Sequence, residues 1–415
     1  MKVLIVSQYF WPENFRINDL ARELAERGHE ITVLTGKPNY PGGTFFAGYG
    51  TFGRTEESYN GIRVLRVPLV ARGTGGLHLA LNYLSFALSA SLIGPWRCRG
   101  SFDVIFAFEP SPITVALPAI VLKTLKGAPL LLWVLDLWPE SLTAAGAIRS
   151  PSVLGLLGKM VRGIYRCCDI ILAQSRGFIP RIAQMGATPE KIRYFPSWAE
   201  GIFTTAASVD RDINLPILPQ GFRIMFAGNI GAAQDFKSIL DAAEKLMSER
   251  DIQWIVLGEG RMLEWVKTQI RERGLDDNVH LLGAYPLEMM PYFFREADVM
   301  LVTLKSDPIF ALTIPGKVQS YLACGRPIAA MLNGEGARIV TEAGAGLVGP
   351  AENPDALAAN VLALQRMPTA GRENMGRAAR AYYELHFERG RLIAQLEGWL
   401  REAADIEVPE RKRIG

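Results

Sequence analysis

The sequence predicts an α/β protein with two doubly wound parallel-sheet domains that face each other across a cleft. The chain has 415 residues, more than one hydrophobic core usually organises. Its strand candidates are continuous apolar runs, which are typical of parallel strands covered by helices on both faces. A segment without helical or strand periodicity, residues 201–221, separates two similar series of such runs.

Apolar strand runs alternate with helical patterns along the chain. In the first half these runs are residues 3–6, 31–34, 64–67, 104–108, 130–135, 170–173 and 192–195. In the second half they are residues 224–227, 254–257, 279–282, 299–303, 328–331 and 346–348. We therefore predict four parts: an N-terminal domain (residues 1–200), a linker (201–221), a C-terminal domain (222–385) and a C-terminal helix with its tail (386–415) that packs back on the N-terminal domain.

Composition and charge exclude several classes of protein. The formal net charge is only +3, and no dense Lys/Arg block precedes residues 411–413, so nucleic acid is not an expected partner. The four cysteines lack zinc spacing and the density of a disulfide framework, which favours the cytosol. The N-terminus enters a strand pattern directly, and its apolar run is too short for a signal-peptide core. We expect a cytoplasmic protein.

Residues 77–94 form an apolar run with almost no charge, followed by Trp96 and Arg97. The run is short for a bilayer span and contains several polar residues. A buried helix hairpin in the core is the favoured interpretation. One alternative is a single transmembrane helix. The other is a helix in the membrane interface with Trp and Arg at headgroup level, which would give peripheral contact with the cytoplasmic face of the inner membrane.

The chain is organised around residues 313–327, which read as a loop, a short helix, a glycine stop and then a buried strand. The start of a helix presents unpaired N–H groups and the positive end of its dipole, and Lys317 adds a full charge beside them. This pattern predicts a site for a phosphate or diphosphate. The alternative is a strand-to-helix turn whose lysine faces water. Pro315, Gly316 and Ser320 belong to the same candidate site.

Glycine-rich turns follow other strands of the second half. Glycines allow a phosphate to approach backbone N–H groups closely, and several such turns on one sheet edge favour a binding rim over scattered loop glycines. The candidate binding residues in these turns are Gly228, Asn229, Gly231, Gln234, Gly258, Glu259, Arg261 and Glu335.

In the first half, a long polar and aromatic loop follows the first strand. Its residues Glu13, Asn14 and Arg16 are too many to cap one helix, which indicates a loop that faces a ligand. Asp136 and Glu140 follow another buried strand and are candidate catalytic carboxylates, since that position points to the ligand edge of the sheet. Alternatively, Asp136 caps the next turn.

No metal or cofactor site is expected from the sequence. The histidines His29, His78, His280 and His386 lack metal-ligand spacing, and packing explains them. Asp210 and Asp212 have the spacing of a carboxylate pair but lie in the predicted linker.

Taken together, these segments resemble retaining, nucleotide-sugar-dependent glycosyltransferases of the GT-B fold, in glycosyltransferase family 4. Residues 24–35 are similar to that family's first helix and second strand, and residues 228–234, 257–260 and 315–327 to its donor-binding elements. Residues 7–13, 136–140 and 314–317 resemble, more narrowly, the bacterial branch with the L-fucosamine (N-acetylfucosamine) transferases of O-antigen and capsule synthesis and a colanic acid transferase.

The sequence departs from the family pattern at the donor site. The family has Arg and Lys after the first strand of the donor domain, whereas this chain has Asn229 and no lysine before Lys237. The family also has two glutamates in this region. This chain lacks both and has Leu312 and Ser320 at their positions. We therefore expect Lys317, the helix dipole and glycine N–H groups to hold the diphosphate, with Ser320 near the ribose.

The resemblance implies metal-independent transfer from a UDP-sugar to a saccharide on a polyprenyl diphosphate. It also implies front-face attack, in which the leaving phosphate takes the acceptor proton. Two alternatives remain: a UDP-sugar 2-epimerase of the same architecture, and a catalytically silent scaffold, which the two missing glutamates would favour.

Overall fold

The computed structural model describes residues 1–50, 53–73, 75–144, 146, 148, 150–204 and 215–405. The chain divides into two compact units, one of Met1–Phe195 with Leu392–Gly415 and the other of Pro196–Arg391. The four-part division into residues 1–200, 201–221, 222–385 and 386–415 stays a prediction. Residues 205–214 of the predicted linker, which include Asp210 and Asp212, lie outside the described residues, as do residues 406–415 of the predicted tail.

The N-terminal unit contains an eight-stranded sheet in the order β3-β4-β2-β1-β5-β6-β7-β8. All neighbouring strands are parallel except β3 and β4, which are antiparallel. The strands are β1 (Lys2–Ser7), β2 (Glu30–Gly36), β3 (Glu56–Tyr59), β4 (Ile62–Val67), β5 (Val104–Glu109), β6 (Leu130–Val134), β7 (Ile170–Ala173) and β8 (Ile192–Tyr194). The helices of its first 195 residues are α1 (Arg16–Glu26), α2 (Gly76–Arg97), α3 (Ala116–Lys126), α4 (Glu140–Ala144), α5 (Pro151–Cys167) and α6 (Phe178–Gln184).

The C-terminal unit contains a six-stranded, fully parallel sheet in the order β11-β10-β9-β12-β13-β14. Its strands are β9 (Phe222–Ala227), β10 (Ile252–Leu257), β11 (Val279–Gly283), β12 (Val299–Thr303), β13 (Ile328–Met331) and β14 (Gly346–Gly349). Its helices are α7 (Phe236–Lys245), α8 (Leu263–Glu272), α9 (Met290–Glu296), α10 (Pro308–Leu312), α11 (Gly316–Ala323), α12 (Glu335–Glu342), α13 (Pro354–Arg366) and α14 (Thr369–His386). The last helix of the described residues, α15 (Arg389–Asp405), falls mainly in the N-terminal unit.

The fold class is confirmed: each unit is a doubly wound α/β domain. The apolar runs became strands because both faces of the central strands are covered, and every residue of β5, β6, β10 and β12 is buried. Strand β3, with the sequence Glu-Glu-Ser-Tyr, was not predicted. It lies at the edge of the sheet and pairs only with β4, so it needs no apolar run.

The favoured interpretation of residues 77–94, a buried hairpin, is wrong. These residues lie within one continuous helix, α2, whose only proline, Pro95, is in its last turn and does not break it. One face of α2 packs into the core through Phe86, Ala90 and Gly94, while its opposite face is exposed. Total hydropathy hid this two-sided pattern because the exposed face is also apolar.

An ion cluster built on two buried residues, His29 and Glu397, fastens α15 to the N-terminal unit. Glu397 of α15 accepts a hydrogen bond from Arg27 at 2.9 Å, and His29 Nε2 lies 2.8 Å from its other carboxylate oxygen. Burial acts to raise the pKa of Glu397, but the hydrogen bonds from His29 and Arg27 outweigh it, so the pKa lies below its usual value. Trp399 adds an edge-on contact with Phe195 at 5.8 Å.

Replacing Glu397 with alanine should loosen α15. The variant leaves His29 without its carboxylate partner, and a charged hydrogen bond of this kind contributes about 1.5 to 3 kcal/mol. We expect amide hydrogen exchange in α15 to accelerate roughly 10- to 100-fold. The control is Glu402→Ala on the same helix, whose partner Arg193 lies at the surface; it should change exchange by less than about fivefold. Equal exchange rates in both variants would contradict this role.

Candidate functional site

In the sheet of the C-terminal unit, the strand order changes direction between β9 and β12. These two strands are neighbours, with β10 and β11 on one side and β13 and β14 on the other. Open α/β sheets bind ligands at the carboxyl ends of the strands at such a switch point. The loop after β9 begins at Gly228, and the segment after β12 leads through α10 to α11.

The loops after β9 and β10 are locked together by backbone hydrogen bonds. Gly228 N–H donates to Leu257 O and Ile230 N–H donates to Glu259 O, each at 2.8 Å. The two backbones approach so closely that a Cβ atom on Gly258 would lie 1.9 Å from Gly228 O. Gly258 also has a φ of +145°, which side-chain-bearing residues rarely adopt. The result is a rigid double loop with glycine backbone at its surface.

Lys317 lies against this double loop. Its ammonium nitrogen is 3.4 Å from the centroid of the Phe226 ring, and a Cβ atom on Gly228 would be 2.7 Å from its Cε. Although part of the residue is accessible, the ammonium nitrogen is buried and has no hydrogen-bond partner among the described residues. Burial lowers the pKa of Lys317 to about 7. The ring face supplies the attraction that replaces a counter-ion.

The third glycine turn packs on the segment that carries Lys317. Gly334 has a φ of +72°, and a Cβ atom there would lie 1.9 Å from Ala311 O in α10. A Cβ atom on Gly336 would lie 3.0 Å from Pro315 Cδ, directly before α11. The structure thus brings the N-terminus of α11, Lys317 and the turns after β9, β10 and β13 to one edge of the sheet, as the glycine pattern predicts.

Other predicted donor residues have local partners. Gln234 accepts from Gly231 N–H at 3.1 Å and so braces the loop after β9. Ser320 Oγ donates back to Gly316 O at 3.3 Å within α11. Glu335 pairs with Arg338 at 2.9 Å in α12. Among the candidate binding residues of the glycine turns, the exposed ones are Gly228, Asn229, Glu259 and Arg261.

In the N-terminal unit, Asp136 follows β6 and lies between two donors. Its Oδ2 accepts from Trp138 Nε1 at 3.2 Å and from Ser141 Oγ at 3.1 Å. Burial raises the pKa of Asp136 despite these hydrogen bonds. Glu140 is the first residue of α4 and is half-buried.

Glu109, the last residue of β5, was missed by the sequence analysis. It is fully buried, its Oε2 accepts from the N–H of Asp136 at 3.4 Å, and its Oε1 is unpaired within the described part of the chain. Burial, and then the charge of Asp136, raise the pKa of Glu109 well above its usual value. The available signal was an acidic residue that ends an otherwise apolar strand next to Pro110, at the same sheet edge as Asp136.

The three predicted residues of the loop after β1 differ in how far they are buried. Glu13 is buried, and its Oε1 accepts from the N–H groups of Asn39 and Tyr40, both at 2.7 Å. Glu13 therefore braces the segment after β2, and this carboxylate oxygen is not turned toward a ligand. Asn14 is exposed, and Arg16 begins α1 and is half-buried.

An aromatic cluster beside this loop was also missed. The rings of Tyr9 and Phe15 stack at 4.7 Å, and the ring of Tyr40 lies 5.1 Å from that of Phe15. Arg72 covers Tyr40 at 5.2 Å and donates to the Tyr9 hydroxyl at 3.2 Å. Such a cluster combines apolar ring faces with a fixed cation. Only the fold brings residues 9, 15, 40 and 72 together.

Each half of the chain matches a protein-family model. Residues 14–198 match the glycosyl transferase 4-like domain, and residues 221–366 match glycosyl transferases group 1.

Two curated relatives are similar in sequence over most of this chain. The putative colanic acid biosynthesis glycosyl transferase WcaI of Escherichia coli K12 is 26% identical over 78% of this chain and 82% of its own length. The probable glycosyltransferase WbjE of Pseudomonas aeruginosa is 27% identical over 73% of this chain and 74% of its own.

The fold also matches a solved structure. Anabaena HepE in complex with UDP superposes with a TM-score of 0.68 at 14% identity, over 97% of this chain and 100% of that one. Together, the two parallel sheets and the two domain matches identify the chain as a GT-B glycosyltransferase, with a 4-like domain followed by a group 1 domain.

Proposed function

We propose that this glycosyltransferase moves a sugar from a UDP-sugar to a hydroxyl group of a saccharide carried on a polyprenyl diphosphate. The reaction would serve synthesis of a bacterial surface polysaccharide such as O-antigen or capsule, at the cytoplasmic face of the inner membrane. WcaI is named for colanic acid biosynthesis and HepE binds UDP, which supports the polysaccharide and the nucleotide. N-acetyl-L-fucosamine is the sugar that the closer resemblance suggests.

The observation that carries the donor half is the buried, unpaired ammonium of Lys317 at the switch point of the C-terminal sheet. A buried charge without a hydrogen-bond partner is costly, and a diphosphate supplies both the opposite charge and the acceptor oxygens. The positive end of the α11 dipole and the backbone of the glycine turns add to this field.

The same groups suit the chemistry of the transfer. Breaking the bond between the anomeric carbon and the diphosphate leaves negative charge on UDP, and preorganised donors lower the barrier by stabilising that charge. Lys317 is held by Phe226 and the double loop before the substrate arrives, so little reorganisation is needed. We propose that no metal ion takes part.

The acceptor half is assigned to the N-terminal unit. We propose that Asp136, supported by Glu109 and Ser141, orients the acceptor hydroxyl, with Glu140, Asn14 and Arg16 around it. In front-face attack the leaving phosphate takes the hydroxyl proton and the sugar keeps its anomeric configuration, so the protein's task is positioning. The rings of Phe15 and Tyr40, backed by the buried ring of Tyr9, would hold the acceptor's sugar face.

The reaction is tested with a panel of labelled UDP-sugars and a polyprenyl-diphosphate saccharide. We expect UDP release that depends on the acceptor and continues in EDTA, with the label found in the lipid fraction and its anomeric configuration retained. A new sugar nucleotide formed without acceptor would contradict the proposal in favour of an epimerase. No UDP release from any donor would favour a silent scaffold.

The variant Lys317→Met tests the donor site. Removing the ammonium should weaken UDP binding roughly 10- to 100-fold, the worth of a charged hydrogen bond. The same change should raise the melting temperature of the UDP-free protein, because it removes an unpaired buried charge. Calorimetry and thermal unfolding measure the two effects. Lys237→Met, at an exposed lysine paired with Asp241, is the matched control; unchanged UDP affinity in Lys317→Met would contradict the assignment.

UDP binding should also take up a proton. The pKa of Lys317 is about 7 in the free protein, and a bound diphosphate raises it. At about pH 8 the free lysine is mostly neutral, so binding protonates it, and affinity falls by up to about tenfold per pH unit above pH 7. Calorimetry in buffers of different ionisation enthalpy measures the uptake. Equal UDP affinity at about pH 7 and about pH 8, with no proton uptake, would contradict this linkage.

A further inference from the structure

The exposed side of α2 is an apolar stripe. Six large apolar residues recur every three or four positions along it, the spacing that places side chains on one face of a helix. Their exposed fractions lie between 43% and 81%. This leucine face consists of Leu77, Leu81, Leu84, Leu88, Leu92 and Trp96. A continuous exposed stripe of this kind marks an interaction surface.

Two further helices of the same unit also expose apolar residues. Helix α2 packs against α3, which packs against α5. Leu125 of α3 and Val153 and Leu156 of α5 are also exposed. The three helices therefore present more apolar surface than the leucine face alone.

The charges on these helices are of one sign. Helices α2, α3 and α5 contain no Asp or Glu residue. Their charged residues are Arg97, Lys123, Lys126, Lys159, Arg162 and Arg166, and Arg99 lies two residues after the end of α2. Of these, Lys123 is paired with Asp169. Helices α1 and α15 of the same unit carry both signs. The partner of this surface is therefore expected to be apolar and anionic.

We infer that the leucine face is a membrane-binding surface that lies on an anionic phospholipid layer. Leucines with a basic border match the acyl region and the headgroups of such a layer. The leucines are followed at the end of α2 by Trp96 and Arg97. Trp and Arg side chains prefer the headgroup level of a membrane. A protein partner or a second copy of this chain would need no uniform positive charge.

The helix lies on the membrane and does not cross it. By length and composition α2 is apolar enough to span a bilayer. However, its other face belongs to the core of the unit, where Phe86 and Ala90 are fully buried. Asn82 on that face accepts from Gln8 at 2.7 Å and donates to Val70 O at 2.7 Å. Insertion across the bilayer would break these contacts and expose the core.

The role of this membrane-binding surface rests on the proposed function, which needs a lipid-linked acceptor. Asn82 joins α2 to Gln8, which directly follows β1 and precedes Tyr9 of the aromatic cluster. A lipid layer bound at the leucine face would therefore be separated only by α2, a helix about 10 Å wide, from the loop proposed to receive a polyprenyl-linked saccharide. The enzyme would meet its acceptor at the headgroup level.

The test is cosedimentation of the full-length protein with vesicles of phosphatidylcholine, with and without phosphatidylglycerol. We expect binding to the anionic vesicles that weakens at high salt, and weaker binding to the neutral ones. The double variant Leu84→Glu/Leu88→Glu should lose at least about tenfold in vesicle affinity, because it removes two apolar contacts and adds two repelled charges. Leu385→Glu, at an exposed leucine of α14, is the matched control and should bind normally.

Two further readouts keep the proposals separate. The double variant should retain UDP affinity, which shows that it is folded, while Lys317→Met should retain vesicle binding. Vesicle binding by the double variant equal to that of the unchanged protein would overturn the membrane surface. So would absence of vesicle binding by the unchanged protein, or light scattering that shows a dimer lost in the double variant. Failure of UDP binding alone would overturn the donor site and leave this inference intact.

Discussion

The donor site depends on one buried cation held without a counter-ion. Lys317 places its ammonium over the face of Phe226, beside Gly228, and within the described chain no oxygen accepts a hydrogen bond from it. Desolvation disfavours the charged form, which is why the pKa of this lysine falls to about 7. The remainder of the site is organised to tolerate this charge and to present it to an anion. A lysine facing water would interact far more weakly with the same anion.

The glycines matter because they let the loops after β9 and β10 pack together beside that cation. A side chain at Gly228 would collide with Lys317, and one at Gly258 would collide with the loop after β9. The parallel sheet supplies the strand ends, and the glycines remove the bulk that would keep the loops apart. In the N-terminal unit the same principle places Glu109 and Asp136 at the ends of adjacent strands, where their shared burial raises both pKa values.

Much of this could be predicted from sequence because it follows from local pattern. Apolar runs indicated thirteen strands, each found in the structure, and the glycine stop at Gly325 ended α11 as expected. What the sequence does not show depends on distant contacts. The sequence places Glu13 in a loop that faces a ligand, whereas in the structure its Oε1 accepts hydrogen bonds from backbone N–H groups 26 and 27 positions away. Hydropathy did not show that α2 has one face in the core and the other exposed. The residues next to Lys317 in the sequence do not show that it is buried whereas Lys237 is exposed.

The central claim is that the ammonium of Lys317 is an unpaired buried charge that a diphosphate completes. Nuclear magnetic resonance of protein labelled at the lysine ε-carbons tests it most directly, with Lys317→Met used to assign the signal. We expect one lysine to titrate near pH 7 in the free protein and to shift to a higher pKa when UDP is added. A lysine that instead titrates near its ordinary pKa of 10.5 and does not respond to UDP would contradict this role of Lys317.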